Sequence, residues 1–314
     1  MNLVGKRRWF FLLSFIIILP GVLSLLFPPH LSLGIDFTGG STIDIEFASL
    51  VSETQVRTKL IQMGHPEATI QGTGGTSFFI RTSRLREADV LTRTGAEREV
   101  IQEALETLAS ITRMDVASVS GVVASDTSRN SFFAVLAASV AILLYITWAF
   151  RHIPKSLRYG VAAIIALVHD VLVVMGIFSI LGRLVGLEVN AMFITGLLTV
   201  IGYSVHDTIV VFDRIRENVV RMPTVSLDRT INTSLLETMG RSLNTTLTLL
   251  LTVLALLLVG GESIRNFLLV LLIGLLAGTY SSICIASQVL VAWENGEAVR
   301  LLRWLRLIPS RTQT

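Results

Sequence analysis

Two heptapeptides carry the chemistry of this chain: VHDVLVV at 168–174 and VHDTIVV at 205–211. Each sets a histidine and an aspartate into an apolar run long enough to cross a bilayer, where an ionisable side chain is expensive and marks a functional site by default. Asp207 lies seven residues before Arg214, so a helical rise of about 1.5 Å per residue sets it roughly 10 Å inside the end of its helix. A carboxylate at that depth needs a cation, water or a proton. That makes Asp207 a candidate proton carrier. Tyr203 and Ser204, one turn earlier, share its face and are expected to hydrogen-bond near it, whereas His206 points about 100° away. Asp170 is twelve residues beyond Arg158 and nearer the bilayer centre; it serves either a helix-to-helix hydrogen bond or a relay. Neither histidine receives a role from the sequence.

Arg241 opens the following apolar run, with Asn244, Thr245, Thr246 and Thr248 close behind. The ordinary reading is an arginine snorkelling to the membrane boundary. Because the two runs are antiparallel neighbours, Arg241 could also turn inward toward Asp207, with Asn244, Thr245, Thr246 and Thr248 holding water between them. Both readings stay open on the residues alone. Two His-Asp pairs resemble a metal ligand set only in residue type, since adjacent helical positions diverge by about 100° and rarely face one ion. An intramembrane aspartyl protease needs two facing carboxyls, and the different depths of Asp170 and Asp207 argue against that. No metal, cofactor or enzymatic reaction is expected.

Helices must position these groups. The chain is 52% hydrophobic and 16% charged, with a mean hydropathy of +0.68, and this excludes an ordinary soluble globule. Six apolar runs are long enough to span: Trp9 to Phe27, Phe132 to Phe150, Leu157 to Leu181, Asn190 to Phe212, Leu243 to Val259 and Phe267 to Val291. The first, preceded by Lys6, Arg7 and Arg8, lacks a small-residue cleavage site and reads as an uncleaved anchor. Basic residues collect on alternate loops: at the amino terminus, at Arg151, Lys155 and Arg158, at five arginines between 214 and 241, and at Arg300, Arg303, Arg306 and Arg311. The other short loops hold only Arg183 and Arg265. Both termini are therefore expected in the cytoplasm. The basic edge, and a pI near 9.3, fit anionic membrane lipid and not nucleic acid. Residues 214–241, with Ile231, Leu235 and Met239 at four-residue spacing, read as an amphipathic connector on the inner membrane surface, and 293–314 as a basic tail.

The long polar stretch, 28–128, then lies outside. From Pro28 to Ser125 it has 8 Lys and Arg against 12 Asp and Glu, a net of −4. Period-two alternation predicts a strand at STIDIEF, and Ser52 caps a helix carrying Val56 and Leu60. Strands at 68–71 and 78–82 flank the turn GTGGTS; Gly95 precedes a helix, and a last strand follows Met114. The order βαββαβ matches a small ferredoxin-like α+β domain. The glycines of GIDFTGG lack the lysine and following helix of a phosphate loop and read as a tight turn.

Four motifs in order, GIDFTGG, ALVHDV, GYSVHDTIVVFDRIREN and RSLNTTLTLLLTV, resemble the SecF subunit family of the bacterial and archaeal protein-export machinery. The resemblance covers nearly the whole chain and has the same layout of six helices with one large domain after the first. It implies work beside the SecYEG channel together with SecD, with YajC as a further candidate partner, using the proton motive force to draw a preprotein outward and release it. By motif, Asp207 answers to the family's membrane aspartate, Arg241 to the arginine opening the next helix, and Asp170 to the aspartate of the HDV segment. Relatives of the family include proton-driven resistance-nodulation-division exporters of twelve helices, so a homologous partner for this half is expected. The rival readings are half of a small-molecule or lipid exporter, and an uncoupled structural scaffold.

Overall fold

Six helices among the described residues are long and apolar enough to cross a bilayer: Val4–Leu26, Gly121–Ala149, Leu157–Val185, Ala191–Arg221, Leu227–Val259 and Ile264–Glu294. The structure is a computed structural model and describes residues 2–28, 30–73, 75–86, 96–151 and 156–297. Gly74, Gly95, Lys155 and the arginines of the tail lie outside the described residues. The chain divides into a membrane unit, 1–31 with 133–314, and an α+β unit, 32–132.

In the α+β unit a short helix α2 (Ile35–Thr38) precedes β1 (Gly40–Phe47), α3 (Glu53–Gln62), β2 (Thr69–Thr73), β3 (Ser77–Thr82), α4 (Glu97–Glu106) and β4 (Ile111–Val119). The sheet order is β2-β3-β1-β4 with every neighbour antiparallel, the ferredoxin-like arrangement that the sequence pattern predicts. Gly39 and Gly40, the close of GIDFTGG, have φ of 72° and 114°, which explains why glycine begins this sheet. Alternation along β1 buries Ile43, Ile45 and Phe47 against Val56 and Leu60 of α3 and Ile101 and Leu105 of α4, a core belonging to this unit alone. Ser52 caps α3 through a capping box with Gln55. Beside this core His65 is buried, with Nδ1 2.9 Å from Thr82 Oγ1 and Nε2 3.3 Å from Glu97 Oε1.

The membrane unit contains α1 (Arg7–Leu26), α5 (Gly121–Ala149, which begins in the α+β unit), α6 (Leu157–Val185), α7 (Ala191–Arg221), α8 (Leu227–Val259) and α9 (Glu262–Ser281); a π-helical turn, Ser282–Ala286, leads into α10 (Ser287–Glu294). The most extensive helix interface is between α7 and α9. Gly274, Gly278 and Ser282 recur every four residues on one face of α9, opposite Val200, Ser204 and Thr208 of α7. A Cβ on Gly278 would lie 3.0 Å from the Cβ of Ser204, and one on Gly274 would collide with Val200. Between α1 and α6 the approach is closer still: a Cβ on Gly21 would fall 2.6 Å from the Cα of Gly176. Lipid supplies no hydrophobic drive between helices, so such small-residue seams let backbones pack closely enough for dispersion and hydrogen bonds to hold them.

Residues 214–241 take a different form from the surface connector expected above. Helix α7 continues to Arg221 and α8 begins at Leu227, so the segment is the paired ends of two long helices. Ile231 and Leu235 are fully buried, as are Phe212 and Ile215 of α7. Polar pairs bind the hairpin: Asn218 Nδ2 donates to Ser234 Oγ at 2.9 Å and to Glu237 Oε2 at 2.8 Å, and Arg214 Nε donates to Glu237 at 2.6 Å. The apolar stripe found a protein face before it needed a lipid one.

Two outcomes test this fold. Gly274→Ala overpacks the α7–α9 seam and is expected to lower stability by about 1–3 kcal/mol, read from unfolding in mixed micelles. In the α+β unit, hydrogen bonds from its own backbone, Ser83 and Thr82 hold the Glu67 carboxyl well below the usual 4.5, at about 2. A depressed carboxylate contributes stability above its unfolded value, lost as pH falls toward 2. Glu67→Gln should flatten the decline in hydrogen-exchange protection of β3 between those limits; an unaltered pH dependence would contradict the assignment.

Candidate functional site

The two membrane carboxyls lie on adjacent helices, both buried: Asp170 of α6 is 1% exposed and Asp207 of α7 is 6%. An uncompensated charge in such surroundings costs several kcal/mol, so the partners define each group. Asp170 is fully engaged. Its Oδ2 accepts from Ser204 Oγ of α7 at 2.5 Å and from Ser281 Oγ of α9 at 2.7 Å. Its Oδ1 meets Nδ1 of the neighbouring His169 at 2.9 Å, and His169 Nε2 reaches Ser14 Oγ of α1 at 3.1 Å. Four helices thus converge on this His–Asp pair.

Asp207 is bound on one side only. Ser242 Oγ of α8 donates to Oδ1 at 2.5 Å, while Oδ2 is buried and meets no hydrogen-bond partner among the described residues, with the Ser282 hydroxyl as a second hydroxyl close to this carboxyl. Hydroxyls of the helices packed beside it pair with one another. Thr208 pairs with Ser282 at 2.9 Å, Thr246 pairs with Thr279 at 2.5 Å, and Tyr203 reaches Thr246 at 2.7 Å. Ser282 also donates to the Ser204 carbonyl at 3.3 Å, which joins the surroundings of the two aspartates. Ser282 opens the π-helical turn, a distortion that recurs at functional sites because it re-aims side chains within a helix. One carboxyl has a partner on each oxygen; the other leaves an oxygen able to take a proton or a water.

The structure redistributes several of the residues read from sequence. Ser204 shares a helix face with Asp207 but serves Asp170, because that part of α7 faces α6 and α9; Tyr203 serves Thr246. Arg241 is exposed and does not reach Asp207; its neighbour Ser242 does, since successive helical residues diverge by about 100°. Asn244, Thr245 and Thr248 are also exposed, and the two threonine hydroxyls donate to carbonyls four residues back, Arg241 and Asn244. Of the row expected to hold water only Thr246 is buried, bonded to Tyr203 and Thr279; the other three face outward. His206 is exposed, whereas His169, left without a role by the sequence, is a buried partner of Asp170. Sequence reasoning also passed over Ser14, Ser242, Thr279, Ser281 and Ser282. Their signal was present for three of them: GTYSS at 278–282 extends the small-residue spacing of Gly274 and Gly278 into a run of hydroxyls within an apolar helix. Among the described residues no group of three or more His, Cys, Asp or Glu could hold a metal ion.

Comparison with known proteins adds the following. Residues 100–296 match the family model described as protein export membrane protein SecD/SecF, C-terminal, and residues 25–49 match the SecD/SecF GG motif. The protein translocase subunit SecF of Thermobaculum terrenum is 44% identical, over 96% of this chain and 97% of its own length. That of Anaerolinea thermophila is 41% identical, over 95% of each. SecDF from Thermus thermophilus, described as a translocon-associated membrane protein, matches in three dimensions with a TM-score of 0.80 and 32% identity. This chain is covered to 94% and spans 39% of that longer one.

The contrast between Ser242 and Arg241 is testable by unfolding of the purified chain in detergent. Ser242→Ala removes the hydrogen bond to a buried carboxyl and should cost about 1–3 kcal/mol. Arg241→Ala alters an exposed side chain and should stay within about 0.5 kcal/mol. Equal losses from both would refute this placement of the arginine.

Proposed function

The chain belongs to the SecD/SecF family of protein-export membrane proteins, and on that premise we propose that it acts with SecD to couple a proton gradient to preprotein movement. The observation that carries the reading is the half-satisfied carboxyl of Asp207: buried, bonded by Ser242 on one oxygen and without a hydrogen-bond partner on the other among the described residues. A group that must gain and lose a proton inside the membrane needs a spare site of this kind. Protonated, Asp207 is neutral and compatible with its apolar surroundings. Ionised, it demands a cation or water, and that demand favours a different arrangement of α7 and α8.

In this proposal Arg241 is the charge recruited by the ionised state. It is next to Ser242 in the chain and about 100° around α8, so part of a turn of that helix, together with the reach of a long side chain, exchanges one for the other beside Asp207. Asp170 fastens α6 to α7 and α9 while this happens. Asn244, Thr245 and Thr248 would accompany Arg241 on the same movement.

The distribution of Lys and Arg supports cytoplasmic termini and an extracytoplasmic α+β domain. That domain then meets the emerging preprotein beside the SecYEG channel. The SecD partner is favoured because the relatives include SecDF chains in which this length of sequence occupies only part: 38% of the Bacillus subtilis protein and 39% of the Thermus one. A lone exporter of small molecules is less well supported, since the chain supplies one six-helix half and a small domain.

The test is the export rate of a secreted preprotein in cells depleted of the native subunit and supplied with wild type or Asp207→Asn at equal membrane levels. Asparagine keeps the size and cannot cycle a proton. Export at the level of depleted cells is expected, in a protein that still assembles with SecD. Normal export by Asp207→Asn would overturn proton coupling at this residue and leave the scaffold reading in its place.

A further inference from the structure

The function proposed above uses Asp207, but a second buried pair, Asp170 with His169, carries more hydrogen-bonding constraint than a helix tie requires. The constraint can be followed proton by proton. Tyr280 Oη donates its only hydrogen to the Phe10 carbonyl at 2.7 Å, and a carbonyl cannot donate in return. Ser14 Oγ, 3.2 Å away, must therefore donate its single hydrogen to Tyr280 Oη. With that hydrogen spent, Ser14 faces His169 Nε2 at 3.1 Å as an acceptor, so Nε2 carries a hydrogen. On the other side of the ring, Nδ1 is 2.9 Å from Asp170 Oδ1. A contact of that length between a bare nitrogen and a bare carboxylate oxygen sets lone pair against lone pair. One further proton must lie between them.

We infer that Asp170 and His169 form a second proton-holding pair, kept in a singly protonated, net-neutral state by the chain Phe10 carbonyl, Tyr280, Ser14. The proton is either on Oδ1, with neutral His169, or on Nδ1, with imidazolium beside carboxylate; the pair's charge is zero in both. The other groups facing it agree with this count. Ser204 of α7 and Ser281 of α9 donate to Oδ2 and leave Oδ1 for the shared proton. The titratable groups nearest it on the packed elements are Tyr280 of α9, which closes the chain, Cys284 of the π-helical turn beside Tyr280, and Asp207, one turn beyond Ser204 on α7; α1 contributes Ser14. Burial of both members, His169 at 7% and Asp170 at 1%, makes a net-neutral pair the least costly content for this cavity.

The consequence for transport rests on the Asp207 reading: a chain of this family would hold two exchangeable protons on neighbouring helices. The proton content of the pair itself rests on hydrogen-bond geometry alone. Tyr280 acts as a positioning residue that locks the polarity of Ser14. Without its hydroxyl, Ser14 can turn and donate to a bare Nε2, and His169 with its hydrogen on Nδ1 is then fully bonded to an ionised Asp170. The pair becomes able to release a proton with no hydrogen bond lost.

The experiment is nitrogen-15 solid-state NMR of histidine-labelled chain, assembled with SecD in lipid, followed against pH. In wild type His169 Nε2 is expected to be protonated throughout the neutral range. Tyr280→Phe is expected to shift loss of the pair's proton to lower pH by about one unit, the size of one hydrogen bond. Should that variant fail to assemble, Ser14→Ala removes the acceptor for Nε2 and is expected to move the transition the same way. A bare Nε2 in wild type, or an unmoved transition in an assembled variant, would overturn the inference. The readout needs no export, so it is expected unchanged in Asp207→Asn, and a failure of the Asp207 reading appears only in the export assay.

Discussion

A polar atom inside a bilayer has no water to fall back on, and the membrane unit is organised around that constraint. Two carboxyls and a histidine must be satisfied by neighbouring helices, and the groups that satisfy them are short. A serine Oγ extends little beyond its own backbone, so Ser204 and Ser281 can both bond Asp170 only if α7 and α9 are nearly in backbone contact. Gly274 and Gly278 make that contact possible. Close packing and polar satisfaction are thus one requirement, met by the same four-residue spacing on α9.

The two aspartates answer this constraint differently. Asp170 accepts from two hydroxyls and shares a contact with a histidine whose far nitrogen is also bonded. Asp207 accepts from Ser242 and has a buried oxygen with no hydrogen-bond partner among the described residues. A buried polar group left half-satisfied is a reservoir of free energy that a proton, a water or a cation can release. Ser282, which pairs with Thr208 beside Asp207, stands at the start of the π-helical turn that follows α9.

The α+β unit follows ordinary soluble rules. Its core is built from alternate residues of β1 and β3 and one face each of α3 and α4, and it depends on no residue of the membrane unit. Positive-φ glycines, Gly39 and Gly40, turn the chain sharply into the start of β1. A domain with its own core can move as a body when a helix bundle changes state, without repacking.

Periodicity and composition alone determined the six spans, the βαββαβ order and the presence of two buried acids, because each is a local property of the chain: length of apolar run, alternation at two or 3.6 residues, a charged letter among apolar ones. Partner choice was a different matter. That Ser204 serves Asp170 instead of Asp207, that Ser242 and not Arg241 meets Asp207, and that residues 214–241 pair as a hairpin all depend on which way each helix is turned about its axis. A rotation of about 100° exchanges one residue for the next. That angle is set by the seams between α7, α8 and α9, where glycines let backbones meet, and only the packed structure resolves it.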